Sequence, residues 1–321
     1  MGADKGAEVI LRGALQGAKQ YGVDLTLFGD EATAKKVIKE FGDLGGADIK
    51  TVDVQTFIEM TDSPAVVNRE KKDCSMTRAL RCVLEGEADA VVSAGNTGAL
   101  FTASSLILRR VKGVRRAALA GVIPLEKPFV VVDSGANIDV TPENLLQFAI
   151  MGSAYAENVL NIKSPRVALL NNGAEESKGT PIYTETYKLL KDSSLNFIGN
   201  CEGRDLPFGA CDVLVCDGFT GNIAVKTIEG MGAYMKKQLK GLFANVGKIA
   251  GLLVWKRIDA LKNKVDHRVY GGAPFLGITK PVVKAHGSSD EVSICACIKQ
   301  ARDYCESGII EKFTNAINQQ Q

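Results

Sequence analysis

Short apolar runs alternate with amphipathic stretches along almost the whole chain. Residues 25–28 end at Gly29-Asp30, 90–92 at Ser93-Ala94-Gly95-Asn96, and 129–132 at Asp133-Ser134-Gly135-Ala136-Asn137. Residues 167–170 end at Asn171-Asn172-Gly173, 212–216 at Asp217-Gly218-Phe219-Thr220-Gly221-Asn222, and 282–285 at His286-Gly287-Ser288-Ser289. Each run is three to five residues long, rich in Val and Leu, and lacks the polar alternation of a strand with one wet face. That pattern predicts strands buried on both faces. Small polar residues follow each run, and then a helical stretch. Repeated strand–loop–helix order predicts a doubly wound, mostly parallel sheet covered by helices on both faces, an α/β/α sandwich.

Composition adds little to this and removes several alternatives. The 321 residues are 45% hydrophobic and 24% charged, with no Pro- or Ser-rich linker and no internal repeat, so one α/β domain over 1–321 is expected. The net charge of +2 is too balanced for a nucleic-acid binder. Eight cysteines include no Cys-x-x-Cys pair, and two histidines are too few for zinc arithmetic, so no metal is expected. Most of the cysteines sit inside apolar runs, where a free thiol acts as a small hydrophobe; this fits a reducing cytoplasm. No segment reads as a signal peptide or a membrane span.

Ligands of open α/β sheets bind beyond the carboxyl ends of the strands. The loops there are rich in Gly, Ser, Thr and Asn. Glycine lets the backbone come close to a ligand, and the following helix offers free N–H groups, which suits an oxyanion. There is no Walker loop, no Gly-x-Gly-x-x-Gly fingerprint and no Gly-x-Ser-x-Gly elbow. ATP chemistry, dinucleotide binding and serine hydrolysis all lose ground, and no cofactor is expected. His286 reads equally as a catalytic group or as part of a capping loop, with Ser288 or Ser289 as the N-cap of a helix running to about residue 304. Lys178 reads by default as a surface lysine and His267 as a solvated one. Asp133 and Asp217 read as partners of loop N–H groups more readily than as magnesium ligands.

Seven stretches in order resemble the bacterial phosphate acyltransferase family of phospholipid synthesis (PlsX): SAGNTGA at 93–99, DSGANID at 133–139, GAEESKG at 173–179, GNCEGRD at 199–205, DGFTGN at 217–222, YGGAPFLG at 270–277 and AHGSS at 285–289. The resemblance covers nearly the whole chain. It implies a fold similar to phosphotransacetylases and to isocitrate and isopropylmalate dehydrogenases. The implied reaction is acyl transfer from acyl-carrier protein to inorganic phosphate, and the acyl phosphate then serves a glycerol-3-phosphate acyltransferase. It also implies a homodimer. Phosphate is itself the nucleophile, so no catalytic Ser or Cys is required, and the work is orientation and charge stabilisation.

On that reading Asn96, Thr97 and Gly98 with Thr220, Gly221 and Asn222 form a phosphate cradle, to which Ser93, Asn137, Asp217, Ser288 and Ser289 contribute. Lys178 supplies charge, and His286 donates to phosphate or to the thioester oxygen. Members of the family open with an apolar strand leading into Gly-Gly-Asp-His-Ala-Pro. This chain opens with Met1-Gly2-Ala3-Asp4-Lys5-Gly6-Ala7, so a strand is expected to be missing and sheet edges to be bare. Rival functions are a phosphotransacetylase-like enzyme using acyl-CoA, a dehydrogenase on the related fold, and a non-catalytic phosphate- or acyl-binding regulator.

One segment departs from the even charge. Residues 236–264 hold eight basic residues and one acidic residue, Asp259, a balance of +7 that leaves −5 for the rest. A helical protrusion over 236–266 is expected, with Leu252, Leu253, Val254 and the sole tryptophan, Trp255, forming an apolar patch. A membrane surface, an acidic carrier protein and a second subunit all suit it.

Overall fold

The computed structural model describes residues 2–125, 127–244 and 270–319. Ten strands occur: β1 (Leu25–Gly29), β2 (Ile49–Asp53), β3 (Val91–Ser93), β4 (Ala118–Ile123), β5 (Phe129–Val132), β6 (Val167–Asn171), β7 (Phe197–Glu202), β8 (Val213–Val215), β9 (Ala273–Leu276) and β10 (Val282–Lys284). All six runs predicted from the sequence are strands.

Among the described residues nine α-helices surround them: α1 (Ala7–Tyr21), α2 (Glu31–Phe41), α3 (Ser75–Leu84), α4 (Thr97–Ile107), α5 (Pro142–Asn158), α6 (Pro181–Lys191), α7 (Gly218–Ala244), α8 (Glu291–Glu306) and α9 (Ile309–Gln319). Local chemistry places their ends. Thr141 and Asn144 form a reciprocal capping box ahead of α5, with Pro142 in the first turn. The N-cap of α8 is Asp290, whose carboxylate accepts from the backbone and hydroxyl of Ser293, so neither Ser288 nor Ser289 caps that helix.

Eight strands form one sheet in the order β3-β10-β9-β4-β5-β8-β6-β7, and β1 and β2 pair separately in parallel. Among the described residues β1 ladders only with β2, and β3 only with β10, so each has one edge without a strand partner there. Alternate residues of the central strands enter two different cores. Val130, Val132, Val213, Val215, Val167 and Leu169 pack under α5, with Phe148 and Met151. Phe129, Val131, Ala168, Leu170 and Leu214 face the other way, against Ala224, Val225 and Ile228 of α7. Burial on both faces explains the unbroken apolar runs. Seven of the cysteines are buried, and Cys305 is exposed.

The direction of the strands matters for the site. Three successive antiparallel ladders, β10–β9, β9–β4 and β4–β5, separate two parallel wings. An odd number of reversals means that β5, β8, β6 and β7 run opposite to β3 and β10. The carboxyl-end loops therefore leave the sheet in two groups, at opposite ends of the strands, and not along one common edge.

Candidate active site

The first group of loops is built on Asp133, which follows β5 and is fully buried. Its Oδ1 accepts from the backbone N–H of Gly135 and Ala136, each at 2.9 Å, and of Leu119 at 3.3 Å. Its Oδ2 accepts from the Asn137 backbone at 2.8 Å and from Nδ2 of Asn137 at 2.6 Å. Burial pushes this carboxyl up, and the loop N–H groups oppose the shift. The carboxylate thus holds the loop in shape. Asn137 completes the frame, donating to the Ala117 carbonyl at 2.7 Å and accepting from the Gly218 N–H at 2.6 Å.

This frame seats the start of α7. A Cβ on Gly218 would lie 2.8 Å from the Asn137 backbone, and one on Gly221 would lie 1.9 Å from the Asp133 carbonyl oxygen. Only glycine permits that approach. Asp217 caps the helix: Oδ1 accepts from the Thr220 N–H at 2.9 Å, and Oδ2 from the Thr220 hydroxyl at 2.7 Å and from Tyr183 at 2.6 Å. Burial pushes Asp217 up, but these bonds outweigh it and leave the carboxyl below its usual range. Thr220 and Gly221 are therefore committed to the helix start, and Asn137 and Asp217 to its frame. Of the residues expected in this half of the cradle, Asn222 alone turns outward, over Gly135.

The second group lies at the ends of β3 and β10. Asn96 caps α4 through its Oδ1, which accepts from the Ala99 N–H at 3.0 Å. Its Nδ2 donates to the carbonyls of Glu59, Met60 and Asp62 at 3.3, 3.0 and 2.9 Å. The amide is saturated, so Asn96 places the helix start and leaves contact with a ligand to Thr97. Gly98 packs against Pro64, and Ser93 accepts from the Gly95 N–H at 3.2 Å. The Met60 methyl would lie 3.0 Å from a Cβ on Gly287, which ties this loop to the end of β10. There His286 is exposed, with Nδ1 2.7 Å from the Ser288 hydroxyl and 3.2 Å from the Ser288 N–H. The Ser289 N–H, on a buried residue, returns to the His286 carbonyl at 3.0 Å.

Helix α7 joins the two groups. It starts among the loops of one wing, crosses a face of the sheet, and carries Asn222 and Lys226 on one side at i and i+4. Asn222 stands over Gly135 of the β5 loop. The Lys226 ammonium lies 3.5 Å from Nε2 of His286. Burial, then the nearby Lys226, holds the His286 imidazolium below its usual range, with Glu229 acting the other way. Below His286, Lys284 is buried and pushed down to about 8 by that burial.

Lys178 stays apart from this cluster. Its ammonium is 3.9 Å from Glu175 at the end of β6, and among the described residues no contact links it to Asn222 or His286. Sequence reasoning passed over Lys226 and Lys284. The second carries a signal, being the one charged residue inside the apolar run 281–285. Among the described residues no group of acidic, His or Cys side chains is arranged to hold a metal. Leu252, Leu253, Val254, Trp255 and His267 lie outside the described residues.

A family model described as "Fatty acid synthesis protein" matches residues 1–312. A phosphate acyltransferase of Bacillus pumilus is 44% identical over 326 aligned positions, covering 100% of this chain and 95% of the relative. One from Clostridium botulinum (strain Loch Maree) is 42% identical over 98% of this chain and 95% of its own. Among solved structures, a phosphotransacetylase from Streptococcus pyogenes superposes with a TM-score of 0.61 at 17% identity, covering 93% of this chain and 91% of that one. A branched-chain phosphotransacylase from Enterococcus faecalis gives 0.56 at 15%, covering 89% and 99%. At such identities these two structures establish the shared α/β fold.

Proposed function

The chain belongs to this fatty acid synthesis family of phosphate acyltransferases, and from that premise we propose that it moves an acyl group from acyl-carrier protein onto inorganic phosphate. The observation that carries the reading is the convergence at α7. Asn222 stands over Gly135 of one wing, Lys226 one turn later reaches His286 of the other, and Met60, whose carbonyl holds Asn96 at the start of α4, packs against Gly287 beside that histidine. Hydrogen phosphate supplies its own nucleophile. What remains for the protein is to fix the dianion against the thioester carbonyl and to stabilise the charge that develops there. Asn222 and the amide end of α4, with the Thr97 hydroxyl, orient phosphate; His286 donates to phosphate or to the thioester oxygen. Ser288 sets the orientation of the imidazole, while Asn96, Asn137, Asp217, Thr220 and Gly221 hold the frame. Lys178 fits a more distant role, at the entry of the carrier.

The test is incubation with palmitoyl-carrier protein and phosphate, with hydroxylamine to trap acyl phosphate. Hydroxamate and free carrier thiol should form in equal amounts, and only with phosphate. Carrier thiol released without phosphate, or none at all, overturns the reading. The phosphotransacetylase-like fold keeps acyl-CoA as the competing donor; a higher kcat/KM for palmitoyl-CoA than for the carrier thioester would select it.

The same reading places the protein in the cytoplasm as a homodimer that hands its product to a glycerol-3-phosphate acyltransferase. Among the described residues no helix is long and apolar enough to cross a membrane. The basic, apolar segment around 252–255 instead fits contact with a membrane surface. Flotation of Leu253→Glu and Trp255→Glu variants with anionic liposomes tests this, and undiminished binding would remove it.

A further inference from the structure

Lys226 lies on the third turn of α7, with its side chain half exposed. Its ammonium is bracketed by two groups, Oε2 of Glu229 at 2.8 Å and Nε2 of His286 at 3.5 Å. An exposed pair such as Lys226–Glu229 contributes little stability, so Glu229 steers the ammonium without consuming its charge. Behind His286, Lys284 is only 6% exposed. Its ammonium donates to the Ala285 carbonyl, and among the described residues no carboxylate lies within ion-pair distance of it.

Two lysines thus converge on one imidazole, with Glu229 and the more distant Asp4 as the opposing charges. By itself this arrangement is unfavourable, because the buried ammonium has no carboxylate at ion-pair distance among the described residues and a second ammonium approaches the same ring. Such arrangements are found where a ligand of opposite charge completes them.

We propose that Lys226 is the cation that binds the acceptor phosphate and holds it against His286, with Lys284 completing the positive field from beneath. This rests on the acyl-transfer reading. It moves the charge-supplying role from Lys178 to a residue on the helix that joins the two wings. The Ser288 N–H donates to Nδ1 at 3.2 Å, so in the neutral ring Nε2 carries the proton and stands beside Lys226 as a second donor to the anion. An oxyanion of hydrogen phosphate, held by Lys226 and by the Nε2–H, forms the new C–O bond to the thioester carbon. The C–S bond then breaks, and the proton carried by the hydrogen phosphate passes to the departing thiolate. The products are acyl phosphate and the carrier thiol.

The test measures steady-state thiol release by the full chain with palmitoyl-carrier protein at varied phosphate. Lys226→Met should raise KM for phosphate about tenfold or more, the loss of one charge-assisted contact, and leave KM for the thioester within about twofold. Lys226→Arg should recover most of the affinity. The half-exposed position predicts an unchanged urea midpoint, which separates lost binding from lost folding. An unchanged KM for phosphate in Lys226→Met overturns the assignment while the acyl-transfer reading stands. A wild-type chain that shows no phosphate-dependent thiol release overturns both.

Discussion

Tyr183 grips Asp217 from both sides. Its phenol donates to Oδ2 at 2.6 Å and accepts from the Asp217 backbone N–H at 3.1 Å. Tyr183 comes from α6 and Asp217 opens α7, so this one side chain fixes where α7 begins. Burial, and then the bond to Asp217, push the phenol well above its usual range and keep it a donor at any physiological pH.

Tyr183→Phe should therefore lower stability by about 1–3 kcal/mol, because it strips one bond from the carboxylate and leaves the Asp217 N–H without its acceptor. Urea unfolding measures that loss. The same variant should raise KM for phosphate several-fold, since Asn222 rides on the helix whose start has been loosened.

Two glycines of α7 should respond oppositely to alanine. Gly221→Ala would set a methyl 1.9 Å from the Asp133 carbonyl oxygen and 2.9 Å from the Cys216 sulfur. Backbone must move to admit it, so a loss of about 3 kcal/mol or more is expected. Gly230 has nothing within 4 Å of its would-be Cβ. Gly230→Ala in that open helix interior should gain about 0.5–1 kcal/mol. Urea midpoints of the two variants check the pair.

Asp133→Asn keeps the shape and replaces one acceptor oxygen by an NH₂ group. Both carboxylate oxygens face N–H donors, so whichever way the amide turns, a donor meets a donor. A cost of about 2–4 kcal/mol is expected, together with loss of phosphate-dependent thiol release, because this loop seats α7. A variant with the wild-type urea midpoint would show that the loop keeps its shape without the carboxylate.

Lys284 gives stability a dependence on pH. Burial lowers it from 10.5 to about 8 in the folded chain. Between those values the unfolded chain binds the proton and the folded chain does not. Unfolding takes up a proton there, so stability rises with pH across the window, by at most about 1.4 kcal/mol per unit; below pH 8 the penalty is fully present. Lys284→Met should remove this rise and be the more stable protein at pH 7. Urea unfolding of both proteins at pH 7, 8 and 9.5 measures the difference and cancels groups common to the two. Parallel curves would refute the assignment.

How far the sequence could be read follows from which signals are local. β3, β5, β6, β8 and β10 are short Val- and Leu-rich runs because helices cover both faces of the sheet, and β1 carries the same apolar mark. β2 alternates exposed and half-buried positions, β7 is an edge strand holding Gly199 and Asn200, and β9 contains Pro274. None of these gives an unbroken apolar run. The pairing of β9 between β10 and β4 joins residues more than 150 positions apart, and no local pattern encodes it. The two ladders of β9 cancel each other's reversal, so the antiparallel β4–β5 pair is what turns one wing against the other and divides the polar loops into two groups. The loops were legible as special; their division of labour was not. Asn96, Asn137 and Asp217 look from sequence like ligand groups, and each is consumed by backbone groups and by side chains such as Tyr183 and Asp133 that only the folded chain presents. Lys226 looks like any solvated helix lysine until His286 is folded against it.

Helix α7 is 27 residues long, roughly 40 Å of continuous backbone. Its first turn is clamped by Tyr183 and Asp217, whereas Met231, Tyr234 and Met235 are large apolar side chains left exposed. A helix of this length is stiff, so it behaves as a lever with its fulcrum inside the candidate site. Whatever grips its exposed stretch at 231–235 turns Asn222 and Lys226 together, and a few degrees of tilt there change the spacing between Lys226 and His286.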